Sequence, residues 1–139
     1  MVIVSIDYGD KRTGVAVCDK NQILASPVCT IESDDKKVLI DKIIEIGEQK
    51  KAEIFVIGLP KNMDGSLGFR AEACKEFASE LSAESGIECV FQDERLTTVS
   101  AHLALNGTNT RGKKRKEKID QVSAVIILQD YIDSLRFKG

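Results

Sequence analysis

Apolar positions along the chain fall into two patterns, short unbroken runs and stripes at three- and four-residue steps. The unbroken runs V2-I-V-S-I6, E53-I-F-V-I-G58 and I87-E-C-V-F-Q-D93 are rich in β-branched residues and bounded by charged or turn-forming ones, so they predict strands. The first, ending at Asp7, has the character of a central strand covered on both faces. G14-V-A-V-C-D19 and Q22-I-L-A-S-P-V-C29 flank the turn-forming K20-N21, which predicts an antiparallel meander of three strands. Helical spacing begins after Ser33 or Asp34, either of which can cap a helix to about Lys51 with Leu39, Ile43 and Ile46 on one stripe and Ile40 and Ile44 beside it. A second helix is expected over roughly 68–85, where Phe69, Ala73, Phe77 and Leu81 recur and Gly86 supplies the stop. Thr97 or Thr98 can cap a short helix to Asn106-Gly107, and a last helix is expected over about 118–136 after a loop.

That order predicts an α/β fold: a mixed five-stranded sheet, three strands in an antiparallel meander and two added in parallel, with helices on both faces. A strand that follows a crossover helix should run parallel to its predecessor through a right-handed connection. Repeats, low-complexity tracts and linkers are absent, and a chain of 139 residues buries roughly two-thirds of its unfolded surface around one core, so residues 1–139 are expected to form a single domain.

Composition narrows the class further. No window approaches the ~20 apolar residues that a membrane span needs, and the first strand starts at the N-terminus, so a cytoplasmic protein without membrane contact is expected. Cys18, Cys29, Cys74 and Cys89 are far apart and form no C-x-x-C pair, which favours reduced, buried thiols over zinc or disulfides. Net charge is only −2, yet R111-G-K-K-R-K-E-K118 holds six cations and one acid, leaving −7 on the remainder. A cationic cluster on an acidic body suggests a local contact with a polyanion.

Ligands of open α/β sheets collect beyond the carboxyl ends of the parallel strands. Asp7 ends the first strand, Asp93 and Glu94 end the fifth, and Asp120 opens the last helix. Asp120 shares a helical face with Ser123 and Ala124, whose small side chains should let that helix lie close to the sheet; Val122, Val125, Ile126 and Leu128 are expected to pack elsewhere. Carboxylates gathered in a partly dry place repel one another unless a cation neutralises them. Mg²⁺ or Mn²⁺ suits that need, because hard divalent ions take carboxylate and phosphate oxygens together, and a pair of them can drive phosphodiester hydrolysis. Lys11 and Arg12, just after Asp7, stand where they can hold phosphate. The G9-x-x-x-x-G14 spacing is no Walker A loop, since Val15 follows where Lys is required, and the lone His102 has no partner histidine.

At these residues the chain resembles the YqgF family, RuvC-like members of the ribonuclease H superfamily described as Holliday-junction resolvases and as nucleases that mature 16S ribosomal RNA precursors. The resemblance spans nearly the whole chain and rests on D7-Y-G-D-K-R-T-G14, G58-L-P-K-N-M-D-G65, D93-E-R-L-T-T98 and I119-D-Q-V-S-A-V-I-I-L-Q129. It implies a ribonuclease H-like fold, a divalent metal, and catalytic, metal-binding acids at Asp7, within D93-E94-R95, and at Asp120. Adjacent strand residues point to opposite faces, so one of Asp93 and Glu94 should face the metal; Glu94, with the longer arm, is our choice. Resolvases of the RuvC type carry an acid at the end of the fourth strand, where this chain has G58-L-P, so precursor ribosomal RNA is the preferred substrate and structured or branched DNA the alternative. The ribosomal subunit then becomes a candidate partner. Cations expected on the nucleic acid are Lys11, Arg12, Arg70, Arg95, Arg111, Lys113, Lys114, Arg115 and Lys116.

Two rivals share parts of this pattern. Nucleotide binding by the actin- and hexokinase-like ATPases of the same superfold requires two such domains around the nucleotide. A non-catalytic nucleic-acid or ribosome-assembly module would use the basic run and would need no metal.

Overall fold

The computed structural model describes residues 1–9, 11–59, 69–93 and 112–138; within them, the side chains of residues 69, 70, 93, 112–120 and 136–138 lie outside the description. Among the described residues eight elements follow one another: β1 (Val2–Asp7), β2 (Arg12–Cys18), β3 (Ala25–Glu32), α1 (Lys36–Lys50), β4 (Ala52–Leu59), α2 (Phe69–Ser85), β5 (Glu88–Asp93) and α3 (Gly112–Lys138). The strands form one sheet in the order β3-β2-β1-β4-β5, antiparallel from β3 to β1 and parallel from β1 to β5. This is the mixed sheet that the apolar runs predict.

Strand alternation sorts the sheet residues into two cores. Val4, Ile6, Val15, Phe55 and Ile57 pack with Leu39 and Ile43 of α1 and Phe77 and Leu81 of α2. On the opposite face Ile3, Ala16, Cys18 and Val56 pack with Ala124, Ile127, Leu128 and Ile132 of α3. Leu128 belongs to the same cluster as Ala124 and Val125 packs against it, contrary to the expectation that both pack elsewhere; Leu128 lies one turn on from Ala124 and Val125 directly beside it on the helix.

Three boundaries differ from the sequence expectation, each for a local reason. Asp35, not Ser33 or Asp34, caps α1, its side chain accepting from the Lys37 N–H at 2.9 Å and the Val38 N–H at 3.3 Å, while the Ser33 hydroxyl accepts from the Asp35 N–H at 3.1 Å. The turn between β2 and β3 is longer than K20-N21, because Asp19 Oδ1 accepts from the N–H groups of Ile23 at 2.8 Å and Leu24 at 3.3 Å, which delays β3 to Ala25. The basic run, expected as a loop, instead forms the opening turns of α3 from Gly112. Lys, Arg and Glu are good helix formers, and the run lacked only the apolar stripe that would have revealed it. Gly86 ends α2 as expected, with φ of 73° and its N–H donating to the Ser82 carbonyl at 2.9 Å. The short helix expected between Thr97 and Gly107 lies outside the described residues.

Candidate active site

β1, β4 and β5 run parallel, so Asp7, Leu59 and Asp93 end at one edge of the sheet. Asp7 has the parity of Ile3 and Ser5, the residues of β1 that meet α3, so it stands on the α3 face. Its neighbour Tyr8 goes to the other face and stacks on Phe77 with ring centroids 4.2 Å apart and planes 11° apart. The strand end is thus held from the side opposite the acid. The turn beyond it is equally constrained: a Cβ on Gly9 would collide with the Arg12 carbonyl oxygen, and the Thr13 hydroxyl accepts from the Gly9 N–H at 3.3 Å. Only glycine fits there, which explains the first glycine of D7-Y-G-D-K-R-T-G14.

Asp7 is flanked by positions without side chains. Gly14 of β2 is its antiparallel partner, and Gly58 of β4 stands level with it, one residue beyond the Ile6–Ile57 pair. Paired residues on neighbouring strands point to the same face. β2 and β4 therefore place no side chain beside Asp7 on the α3 face, and both glycines are buried.

What lies above these positions is set by α3. Ser5, fully buried, donates its hydroxyl to the Ala124 carbonyl at 2.6 Å. Farther along the helix the Gln129 side chain accepts from the Ala25 N–H and donates to the Ile23 carbonyl, each at 3.0 Å, and Ala25 pairs with Cys18 near the amino end of β1. α3 consequently runs antiparallel to β1. From Ser5 to Asp7 the strand advances roughly 6.6 Å, and from Ala124 back to position 120 the helix advances about 6 Å. The backbone at 120 thus arrives level with Asp7, on the helical stripe of Ala124. Ser123, also buried, has a hydroxyl without a hydrogen-bond partner among the described residues.

The other expected site residues divide as follows. Asp93 is the last residue of β5, and Glu94, Arg95 and Arg111 lie outside the described residues, as does His102. Arg70 is the second residue of α2, and Lys113, Lys114, Arg115 and Lys116 fall in the first turns of α3, ahead of Asp120. Lys11 and Arg12 line an open groove at the same edge with Glu32 and Asp34, and the Lys11 carbonyl accepts from the Ser33 N–H at 2.9 Å. Among the described side chains no three of His, Cys, Asp or Glu converge. The four cysteines are free thiols; burial pushes those of Cys18 and Cys29 up and that of Cys89 up to about 11, so they stay neutral near pH 7. No helix among the described residues is long and apolar enough to cross a membrane.

Sequence reasoning missed Ser5, the contact that fixes α3 against β1, and the pairing of Gly14 and Gly58 around Asp7. The signal for the first was a lone polar residue inside V2-I-V-S-I6. The second needed the sheet register.

The profile of the family described as "RuvX: Holliday junction resolvase" matches residues 1–134. The chain belongs to this family. It is 40% identical over 138 residues to a Lactococcus lactis subsp. cremoris protein named "Putative pre-16S rRNA nuclease", covering 98% of this chain and 96% of that one. A Clostridioides difficile protein of the same name is 44% identical over 131 residues, covering 94% and 93%. Among solved structures, Thermus thermophilus RuvC in complex with a Holliday junction substrate superimposes with a TM-score of 0.62 at 12% identity, covering all of this chain and 98% of that one. The fowlpox virus resolvase with junction DNA gives 0.56 at 13% identity, covering 97% and 99%. At such identities the likeness concerns the fold, which is RuvC-like and of the ribonuclease H class. This RuvX-family chain is a nuclease by its family and its relatives.

Proposed function

We propose that the chain is a single-domain, divalent-metal-dependent hydrolase that cleaves phosphodiester bonds in precursor 16S ribosomal RNA, with Asp7, Glu94 and Asp120 as its metal-binding acids. The observation that carries this reading is the register of α3 on β1, fixed at Ser5 and Ala124, which brings position 120 level with Asp7, itself set between Gly14 and Gly58. Carboxylate oxygens at a place where the neighbouring strands add no side-chain bulk suit a hard divalent ion. The choice of Glu94 over Asp93 draws support from parity: Asp93 has the parity of Cys89, which packs on the α1–α2 side, whereas Val90 packs on the α3 side and the next positions of its parity are 92 and 94. A pair of Mg²⁺ or Mn²⁺ ions bound there would supply an activated water and a counter-charge for the leaving oxygen.

The chain's own groups perform the remaining tasks. Asp7 is held by a strand end that Tyr8 and Gly9 fix from the far side, so its carboxylate needs little reorganisation to bind. Lys11 and Arg12, and the cations opening α3, hold the phosphates that flank the scissile bond. The small subunit precursor is the partner, and such a substrate puts the enzyme in the cytoplasm. The names of the relatives at 40% and 44% identity support this substrate.

A second reading, cleavage of branched DNA, is favoured by the family's description and by the junction-bound structures of the same fold. One experiment separates these readings. Wild type should cut a precursor 16S fragment with Mg²⁺ or Mn²⁺, should cut a four-way DNA junction far more slowly, and should lose both activities with Asp7→Asn. Faster junction cleavage would select the second reading, and metal-independent binding without cleavage of either would select an assembly module.

A further inference from the structure

The other side of the sheet carries a feature that the acid edge does not use. β5 is a terminal strand of the sheet, and Phe91 on it is 38% exposed, the one aromatic side chain classed as exposed among the described residues. With Cys89 it faces α2 across a groove completed by Lys75, Ala78, Ser79 and Ser82. An exposed ring on an edge strand invites aggregation unless it serves a contact. Phe91 lies two residues, or roughly 6.6 Å, before the strand end that carries Asp93.

We infer that the groove between α2 and β5 is a stacking site for an unpaired nucleobase of the substrate strand, with Phe91 as its platform and Lys75 as the contact to the adjoining phosphate. The inference rests on the reading of the chain as a nuclease and adds to it where a single strand leaves the acid edge. Every base has a π-face, so an aromatic platform beside a cation binds single strands with little regard to sequence. Ser79 and Ser82 add hydroxyls suited to the base edge or to a 2′-hydroxyl, the group that distinguishes RNA. The Cys89 thiol, neutral near pH 7, leaves the floor apolar and makes metal or thiolate chemistry the wrong use for this groove.

Charge on α2 points the same way. Glu72, Glu76, Glu80 and Glu84 recur every fourth residue on one stripe, and Glu80 meets Lys36 of α1 at 3.2 Å. That stripe repels a polyanion from the α1 side. Lys75, Ser79 and Ser82 form the neighbouring stripe, turned toward β5. Lys75 touches Glu72 only at 3.9 Å, with both side chains well exposed, so a phosphate can take its place.

The test compares two single-stranded RNA-like oligonucleotides of equal length, one with ordinary bases and one with abasic sugars throughout its centre. Fluorescence anisotropy would read their binding to the full chain with Ca²⁺ in place of the catalytic ion. Phe91→Ala should weaken binding of the base-bearing strand about 5- to 150-fold and leave the abasic strand almost unaffected; Phe91→Trp should restore affinity. Lys75→Gln should make the salt dependence of both strands shallower by roughly 0.7 in log–log slope. Equal losses on both strands would mean that the ring serves the fold, and a change in oligomeric state with unchanged affinity would make the groove a contact between copies; either overturns the inference. Unchanged affinity of Phe91→Ala for a strand that wild type binds would also overturn it, while leaving the nuclease reading intact. Failure of wild type to bind either strand would remove that reading itself.

Discussion

The two faces of the sheet both carry large buried side chains, and they differ in the contact that α3 makes with β1 and β2 near Asp7. The α1–α2 face uses Val4, Ile6, Phe55, Ile57, Phe77 and Leu81, all wholly buried. Where α3 meets β1 and β2 near Asp7, the residues are Ser5, Gly14, Ala16, Ser123 and Ala124, with Val56 of β4 the larger residue paired to Ser5 and Ile3, Ile127, Leu128 and Ile132 packing farther along. Large interlocking side chains keep two layers a fixed distance apart; small ones let a helix backbone approach near enough for a strand hydroxyl to reach its carbonyl. Both faces supply stability, and the α3 contact at Ser5 adds alignment. Function should therefore be lost by different changes on the two faces, and with different signatures.

The widest separation is expected between Asp7→Asn and Phe77→Ala. Phe77→Ala removes a buried ring and its stacking partner for Tyr8, so unfolding should cost about 3–5 kcal/mol less than in wild type. Asp7→Asn should retain or slightly raise the melting temperature without metal, because one charge leaves the proposed set of acids. Its cleavage rate should fall by more than the roughly 10–100-fold that loss of an outer-shell partner costs at metal sites. Denaturant melts and single-turnover rates on both variants decide the matter. Near-wild-type turnover by Asp7→Asn would remove this residue from the metal site.

Ser5→Ala sharpens the contrast. The hydroxyl it deletes is a side-chain donor to the Ala124 carbonyl of the helix, so stability should change by about 1 kcal/mol or less. If that bond fixes position 120 against Asp7, kcat should fall about tenfold with KM little altered, since misplacement of about 1 Å can cost far more. A residue that merely fills the core would lower stability and leave kcat alone.

The same contrast explains what could be read from sequence. Large buried side chains announce themselves as apolar runs and stripes, so the meander, the two parallel strands and the α1–α2 core were legible, whereas the place of β5 beside β4 and not beside β1 was not. Alignment is carried by small or charged residues, which leave no periodic trace. Ser5 looked like a tolerated polar residue in a strand, and Gly58 became Asp7's neighbour only through the Ile6–Ile57 register. Asp7 itself was legible because a carboxylate ending a buried strand has no packing reason to be there. The opening of α3 was missed on different grounds: R111-G-K-K-R-K-E-K118 has helix propensity but nothing to bury.

That opening separates binding from chemistry. Cations in the first turns oppose the helix dipole, a cost that a bound polyanion offsets. With Lys113, Lys114, Arg115 and Lys116 all changed to Ala, helix propensity is kept, so α3 should persist by circular dichroism. Substrate affinity should fall, and its salt dependence should become shallower by roughly 1.5 to 3 in log–log slope if two to four of these cations touch phosphate. Turnover at saturating substrate should change less, because such contacts are equal in ground and transition states. An unchanged slope would leave Lys11, Arg12, Arg70 and Arg95 as the phosphate contacts.

The smallest effect belongs to Asp130, on the outer side of α3. Partial burial, and then the charge of Asp133, raise its carboxyl above the ordinary value of 3.8. A carboxyl raised in the folded state binds its proton more tightly there than in the unfolded chain. Its favourable contribution is therefore complete below the unfolded value and is lost as pH rises through the folded one, so the ionised form is a small burden at pH 7. Asp130→Asn should raise the melting temperature at pH 7 by about a degree, the residue being exposed and its repulsion screened. The gain should shrink toward zero as pH is lowered through the acid range, and added salt should reduce it. A variant less stable than wild type at pH 7 would mean that the carboxylate makes a favourable contact on α3 that outweighs its repulsion from Asp133. The outer side of the helix would then share in holding α3 to the sheet.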